Sequence, residues 1–192
     1  MQEKRLRIAV IYGSTREGRL CDRIVRWAVG EIERQDRYAI DIIDPLDLAL
    51  PARHGGHSEG LFDLWRRLDA ADAFLIVTPE YNHSFTAPLK QLIDSGKDQW
   101  RAKPVAFVSY GGISGGLRAV EQLRLVFAEL HAVTIRDVVS FANPSGRFNP
   151  TGHLSDGAGE AAKMAHLLAH LDWWGSVLRD ARARAPYDEI AA

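Results

Sequence analysis

The chain has one cysteine, Cys21, among its 192 residues. It can form no intrachain disulfide and no zinc site built on several thiolates, which suits a reducing compartment. Neither sign of charge is in excess, with 24 basic residues against 25 acidic ones. The broad electropositive surface that holds nucleic acid by counterion release is therefore missing. Long apolar runs are missing as well. Stretches such as Ala73 to Val77 fall far short of the roughly 20 residues that cross a bilayer as a helix. The opening MQEKRLRIAVIYG has neither the apolar length nor the small-residue cleavage site of a secretory signal. These absences predict a cytoplasmic protein with no nucleic-acid partner and no membrane insertion. What is present, 46% hydrophobic and 26% charged residues, is the balance of an ordinary globular chain, and the length predicts one domain over residues 1–192.

Strand and helix signals alternate along the chain. Leu6 to Tyr12, Tyr38 to Ile43, Ala73 to Val77, Val105 to Ser109 and Val133 to Val139 are short runs rich in β-branched and apolar residues, and each reads as a strand. Pro79 is expected to end the third. Between them, Leu20, Ile24, Trp27, Ala28 and Ile32 fall on one helical face, as do Leu117, Val120, Leu123, Phe127 and Leu130. Further helices are expected over Leu61 to Leu68, from near Ala87 to Trp100, and through Met164, Leu167, Leu168, Leu171, Trp174 and Leu178. No internal repeat or low-complexity tract interrupts the pattern. Such alternation predicts an α/β fold with a parallel sheet and right-handed helical crossovers. Sheets of this kind bind ligands beyond the carboxyl ends of their strands.

Three loops lie at such ends. After the first strand comes Gly13-Ser14-Thr15-Arg16-Glu17-Gly18-Arg19-Leu20-Cys21. Amides at a helix start, two hydroxyls and the guanidinium groups of Arg16 and Arg19 suit a phosphate dianion. Two better-known phosphate signatures are absent: Arg19-Leu20 stand where a nucleotide triphosphate loop needs Lys and a hydroxyl residue, and the dinucleotide pattern G-x-G-x-x-G does not occur. After the third strand, Thr78-Pro79-Glu80-Tyr81-Asn82-His83-Ser84-Phe85 offers aromatic surface and polar edges for a planar ring. Glu80 and His83 read as a structural pair rather than an acid/base couple, and His54 and His57, in a glycine-rich loop, lack a metal-ligand pattern. After the fourth strand, Ser109-Tyr110-Gly111-Gly112-Ile113-Ser114-Gly115-Gly116 lets backbone donors approach a ligand closely.

Taken together, Gly13 to Arg16, Pro79-Glu80-Tyr81-Asn82 with Leu89-Lys90, and Ser109 with its two glycine pairs resemble the NAD(P)H-dependent FMN reductase family, a flavodoxin-like group that includes quinone, azo-dye and chromate reductases. The resemblance spans about Arg7 to Val139. It implies a three-layer sandwich with a five-stranded parallel sheet in the order 2-1-3-4-5. It also implies FMN as cofactor and NADPH or NADH as co-substrate. Ser14, Arg16, Gly18, Arg19, Leu20 and Cys21 would hold the FMN phosphate, Pro79, Glu80, Tyr81 and Asn82 would border its ring, and Ser109, Tyr110, Gly111 and Gly112 would cover the other polar side. Many members carry a small polar residue where Arg19 and Cys21 stand, so the phosphate grip departs in detail. The implied reaction is ping-pong transfer to a small-molecule electron acceptor (quinone, free flavin, azo compound or metal oxyanion), with no side chain as obligatory acid or base and no metal. The resemblance further implies a homodimer or homotetramer, with the Leu89 to Trp100 segment in the interface.

Two rival readings use the same residues. One is an FMN electron carrier serving a protein partner, which the near-zero net charge disfavours because such carriers tend to be strongly acidic. The other is a flavin-free domain of the same fold.

Overall fold

Residues along strand β1 (Leu6–Tyr12) point alternately to two apolar layers: Ile8 and Val10 to one, Ala9 and Ile11 to the other. A strand with both faces apolar needs helices on both sides, and the computed structural model, which describes residues 5–51 and 56–190, supplies them. The sheet also contains β2 (Tyr38–Ile43), β3 (Ala73–Pro79), β4 (Pro104–Gly111) and β5 (Val133–Ala142). All pairings are parallel and the order is β2-β1-β3-β4-β5, as the family resemblance implies. Helices α1 (Cys21–Glu33) and α5 (Ala158–Arg184) cover one face. On the other lie α2 (Glu59–Ala70), α3 (Ala87–Ser95) and α4 (Leu117–Glu129). Every residue of central strand β3 is buried.

Strand β3 ends at Pro79, as expected, with the proline in register with Tyr110, while β4 and β5 run a few residues past their expected ends. The proline occupies the last position, and the Glu80 amide resumes bonding one residue later by donating to the Tyr110 carbonyl at 3.0 Å. Helix α3 ends at Ser95 instead of reaching Trp100. The chain turns so that the Trp100 indole enters the core beside Phe74 and Phe127, and its Nε1 donates to the Ile93 carbonyl at 3.0 Å. A terminal helix carbonyl that already accepts from the Gly96 amide at 3.2 Å thus gains a side-chain donor. Leu89, Leu92 and Ile93 are fully buried, so the apolar residues of this segment serve the core.

The amino-terminal rim of the sheet is closed by its own polar groups. Asp72 accepts from the Arg7 amide at 2.9 Å and returns its own amide to the Arg7 carbonyl at 2.8 Å. Buried Lys103 places Nζ on the Leu68 and Asp69 carbonyls at the end of α2, at 2.7 and 3.1 Å. Burial, with help from the nearby Arg182 guanidinium, pushes the Lys103 ammonium down to about 8. Arg182 itself donates to the Ala102 carbonyl.

Candidate functional site

The strand order reverses between β1 and β3, because the chain leaves β1 toward one edge and β3 toward the other. Loops diverge at such a point and leave a crevice. The loops after β1, β3 and β4 belong to three neighbouring strands and meet there.

The first loop is anchored by Gly13. Its amide donates to the Val77 carbonyl at 2.7 Å, and a Cβ at this position would lie 2.7 Å from Thr78 Cα, so only glycine permits the approach. Thr86, which the sequence reading passed over, donates from Oγ1 to the Gly13 carbonyl at 2.6 Å. The same oxygen accepts from the Leu89 amide at 3.3 Å and so caps α3. Ser14 is buried, and its Oγ accepts from the Arg16 amide at 3.3 Å and lies 3.3 Å from the Tyr81 hydroxyl, which joins the first loop to the second.

The two arginines of this loop have different fates. Arg19 is 9% exposed and packs its guanidinium over the Tyr12 ring at 4.5 Å. It grips both carboxylate oxygens of Asp44, donates to Asp22 at 2.9 Å, and donates to the Ser14 carbonyl at 2.5 Å. The hydrogen bonds to Asp44, together with Asp22, raise its pKa further. Its charge is therefore neutralised internally, and it shapes the loop instead of projecting from it. Asp44 was absent from the sequence reading; it sits 25 residues away, just after β2. Arg16 is exposed and, among the described residues, its guanidinium has no partner. The amides of Ser14, Thr15, Gly18, Leu20 and Cys21 likewise donate to no protein acceptor among the described residues. Free amides, a buried hydroxyl and a free cation at the start of a helix form a donor set complementary to a phosphate monoester. Cys21 contributes through its backbone alone: its thiol is buried against the Val77 carbonyl, and burial pushes it up to about 11.

The second loop folds as a two-residue turn, with Tyr81 and Ser84 exchanging backbone hydrogen bonds of 2.9 and 3.0 Å. Asn82 and His83 both take positive φ, 50° and 66°, as a primed turn requires. Their side chains are exposed. Glu80 does not meet His83. Its carboxylate accepts from Ser114 Oγ at 2.6 Å and from the Arg118 amide and guanidinium, each at 3.1 Å. Burial would raise the Glu80 pKa, but these donors outweigh it and hold the group below its ordinary value. Gln122 of α4 adds a second tie, donating to the His83 carbonyl at 2.7 Å and accepting from Ser84 Oγ at 2.6 Å.

The third loop is braced from below. Ser109 Oγ and Ser140 Oγ both donate to the Gly115 carbonyl at 2.9 Å, so Ser109, fully buried, supports the loop and does not line its outer side. Gly116 takes φ 87°, and a Cβ there would sit 2.7 Å from the Tyr110 amide. Tyr110 is buried, with its phenol raised by burial and by its neighbour Cys21. Gly111 accepts from the Asn143 amide at 2.8 Å, while Gly112 is exposed at the crest. His57 lies elsewhere, against Phe62 with ring centroids 5.9 Å apart, and His54 falls outside the described residues.

Comparison with known proteins gives the family and the fold. The sequence profile of the NADPH-dependent FMN reductases matches residues 6–145. A probable NADPH:quinone oxidoreductase of Oryza sativa subsp. japonica is 34% identical over 164 residues, 79% of this chain and 83% of the relative. A quinone reductase of Pseudomonas putida is 30% identical over 161 residues, 78% and 84% of the two chains. Among solved structures, the NAD(P)H:(acceptor) oxidoreductase FerB of Paracoccus denitrificans superposes with a TM-score of 0.68 at 22% identity, covering 89% of this chain and 98% of that one. An archaeal flavodoxin gives 0.57 at 13%, covering 91% and 99%. These two show the fold. Among the described residues no helix is long and apolar enough to cross a membrane. With the profile match spanning most of the chain and the relatives aligned over more than three quarters of it, the protein belongs to the NADPH-dependent FMN reductase family, oxidoreductases that work with FMN and a nicotinamide reductant.

Proposed function

We propose that the chain reduces a small acceptor with electrons from NAD(P)H in a ping-pong sequence, nicotinamide and acceptor using the same open side of the site in turn. What supports this most is the unequal use of two arginines in one loop: Arg19 is neutralised by Asp44 while Arg16 stands unpaired beside free amides. Ser14, Arg16, Gly18 and the amides of Leu20 and Cys21 would hold the FMN phosphate, and Arg19 would act as a positioning residue. Pro79, Glu80, Tyr81 and Asn82 would border the ring, and Gly111 and Gly112 would offer backbone to it, with Ser109 and Tyr110 as supports beneath. When bound, FMN supplies the hydride-accepting and electron-donating chemistry. The chain's own residues orient it, offer amides where negative charge collects, and leave one side accessible. Glu80, held ionised by Ser114 and Arg118, is an anchor and not a proton donor.

The names of the relatives favour a quinone as acceptor. Exposed apolar residues near the site and on α4, Ile113, Leu117 and Leu125, support a homodimer or homotetramer that covers them, which sedimentation measures directly.

The visible spectrum of the protein after FMN addition and desalting, followed anaerobically by NADPH and then a quinone, tests the reading. Retained flavin that bleaches on NADPH and recovers on quinone is expected. Flavin that stays oxidised would favour a carrier fed by a protein partner, and loss of flavin on desalting would overturn the site.

A further inference from the structure

Away from the three loops, edge strand β5 and helix α5 bring together Asp137, His166 and His170. The histidines are four residues apart, about one helical turn, so they share a side of α5, and their rings meet edge to face with centroids 4.4 Å apart. Asp137 reaches them from the strand: one oxygen lies 2.6 Å from His170 Nδ1 and the other 3.7 Å from His166 Nε2. One donor atom from each residue can be chosen so that all lie within 4.8 Å of one another. A simple ion pair would be complete with His170 alone. Here a second partner, His166, is held over the same carboxylate without a hydrogen bond to it, and the cleft they share with Ile135, Arg136 and Trp174 opens to solvent, His166 being 65% and His170 50% exposed.

We propose that Asp137, His166 and His170 bind one divalent transition-metal ion, of the zinc class, with water in the open coordination position. Two imidazole nitrogens and one carboxylate oxygen are the donor set of such ions, whereas magnesium and calcium take oxygen ligands. Tetrahedral bonds of about 2.0–2.2 Å place donor atoms about 3.3 Å apart. The two contacts involve different carboxylate oxygens, so Asp137 must turn one oxygen toward both imidazoles while the 2.6 Å contact opens to admit the ion, shifts that side-chain rotation supplies. The ion takes the Nδ1 lone pair of His170. The proton there moves to Nε2 of a neutral ring, or leaves to water from a charged one. Because Asp137 and His170 are 33 residues apart, the ion would strap the edge strand to the last helix and stabilise the folded chain by linkage.

Zinc chloride and, separately, magnesium chloride titrated into the untagged, chelator-stripped full chain by calorimetry test this, with melting temperature as a second readout. One zinc per chain, a zinc-dependent rise in melting temperature and no magnesium binding are expected. In His166→Ala/His170→Ala, zinc affinity should fall by at least about 10–100-fold, while melting in chelator stays at the parent value; Asp137→Asn should weaken zinc binding with the helix left intact. Absence of saturable zinc binding, equal affinity in the double variant, or equal response to magnesium would overturn the site. None of these readouts depends on flavin.

Discussion

The two rims of the sheet treat polar groups in opposite ways. At the amino-terminal rim, Asp72 closes on both backbone groups of Arg7, Lys103 satisfies the last carbonyls of α2, and Arg182 reaches Ala102. At the carboxyl-terminal rim, amides of the first loop and the Arg16 guanidinium stand without partners among the described residues, while the frame around them is tied by Arg19–Asp44, Ser14–Tyr81 and Glu80–Ser114. One rim is built for stability alone. The other adds to a rigid frame a few donors that have no partner among the described residues of the chain, several of them open to solvent, and so available to a ligand from outside.

Substitutions can break this contrast. The largest effect is expected for Arg19→Ala, which leaves Asp44 as an uncompensated, 11% exposed carboxylate. A loss of about 3–5 kcal/mol should appear in urea unfolding, together with weaker flavin retention. Next comes Lys103. Its folded pKa of about 8 lies below that of an unfolded lysine, so between about pH 8 and 10 the unfolded chain holds the extra proton and folded stability rises with pH. Parent stability relative to Lys103→Met should improve by on the order of 2–3 kcal/mol from pH 7 to pH 10, read from paired urea curves; a pH-independent difference would place the lysine's burial cost elsewhere. Arg16→Ala removes a charge-assisted contact worth about 1.5–3 kcal/mol to flavin binding, with flavin-free stability unchanged. Full flavin retention in that variant, measured after desalting, would sink the phosphate assignment. Smallest is Tyr81→Phe, where the long Ser14 contact contributes about 0.5–1 kcal/mol, a less than tenfold change in flavin dissociation constant by fluorescence titration.

Much of this was legible in the sequence because it is local. Strand β3 announces itself as an unbroken apolar run, and the Gly13-Ser14-Thr15-Arg16 loop sits between a strand signal and an amphipathic stripe. What escaped depends on partners brought together by folding. Nothing near Arg19 indicates that Asp44 will neutralise it, so both arginines read alike as phosphate ligands. Cys21 reads as a loop residue until α1 turns its thiol into the core. The end of α3 is set by Trp100 folding back onto Ile93, a tertiary event that helical periodicity alone continues past. Asp137, His166 and His170 were invisible as a group because the strand residue and the two helix residues signal only their own elements.

The ties that Gln122 makes to His83 and Ser84, and that Glu80 makes to Ser114 and Arg118, lock the second and third loops to α4 by backbone and carboxylate contacts. The side chains of Asn82, His83 and Ile113 take no part in that lock and stand exposed, Ile113 at 85%. In the proposed reading, the scaffold therefore separates the residues that would hold the cofactor from the exposed side chains of His83 and Ile113. Exchange at His83 or Ile113 offers a route to new acceptors that leaves the cradle undisturbed.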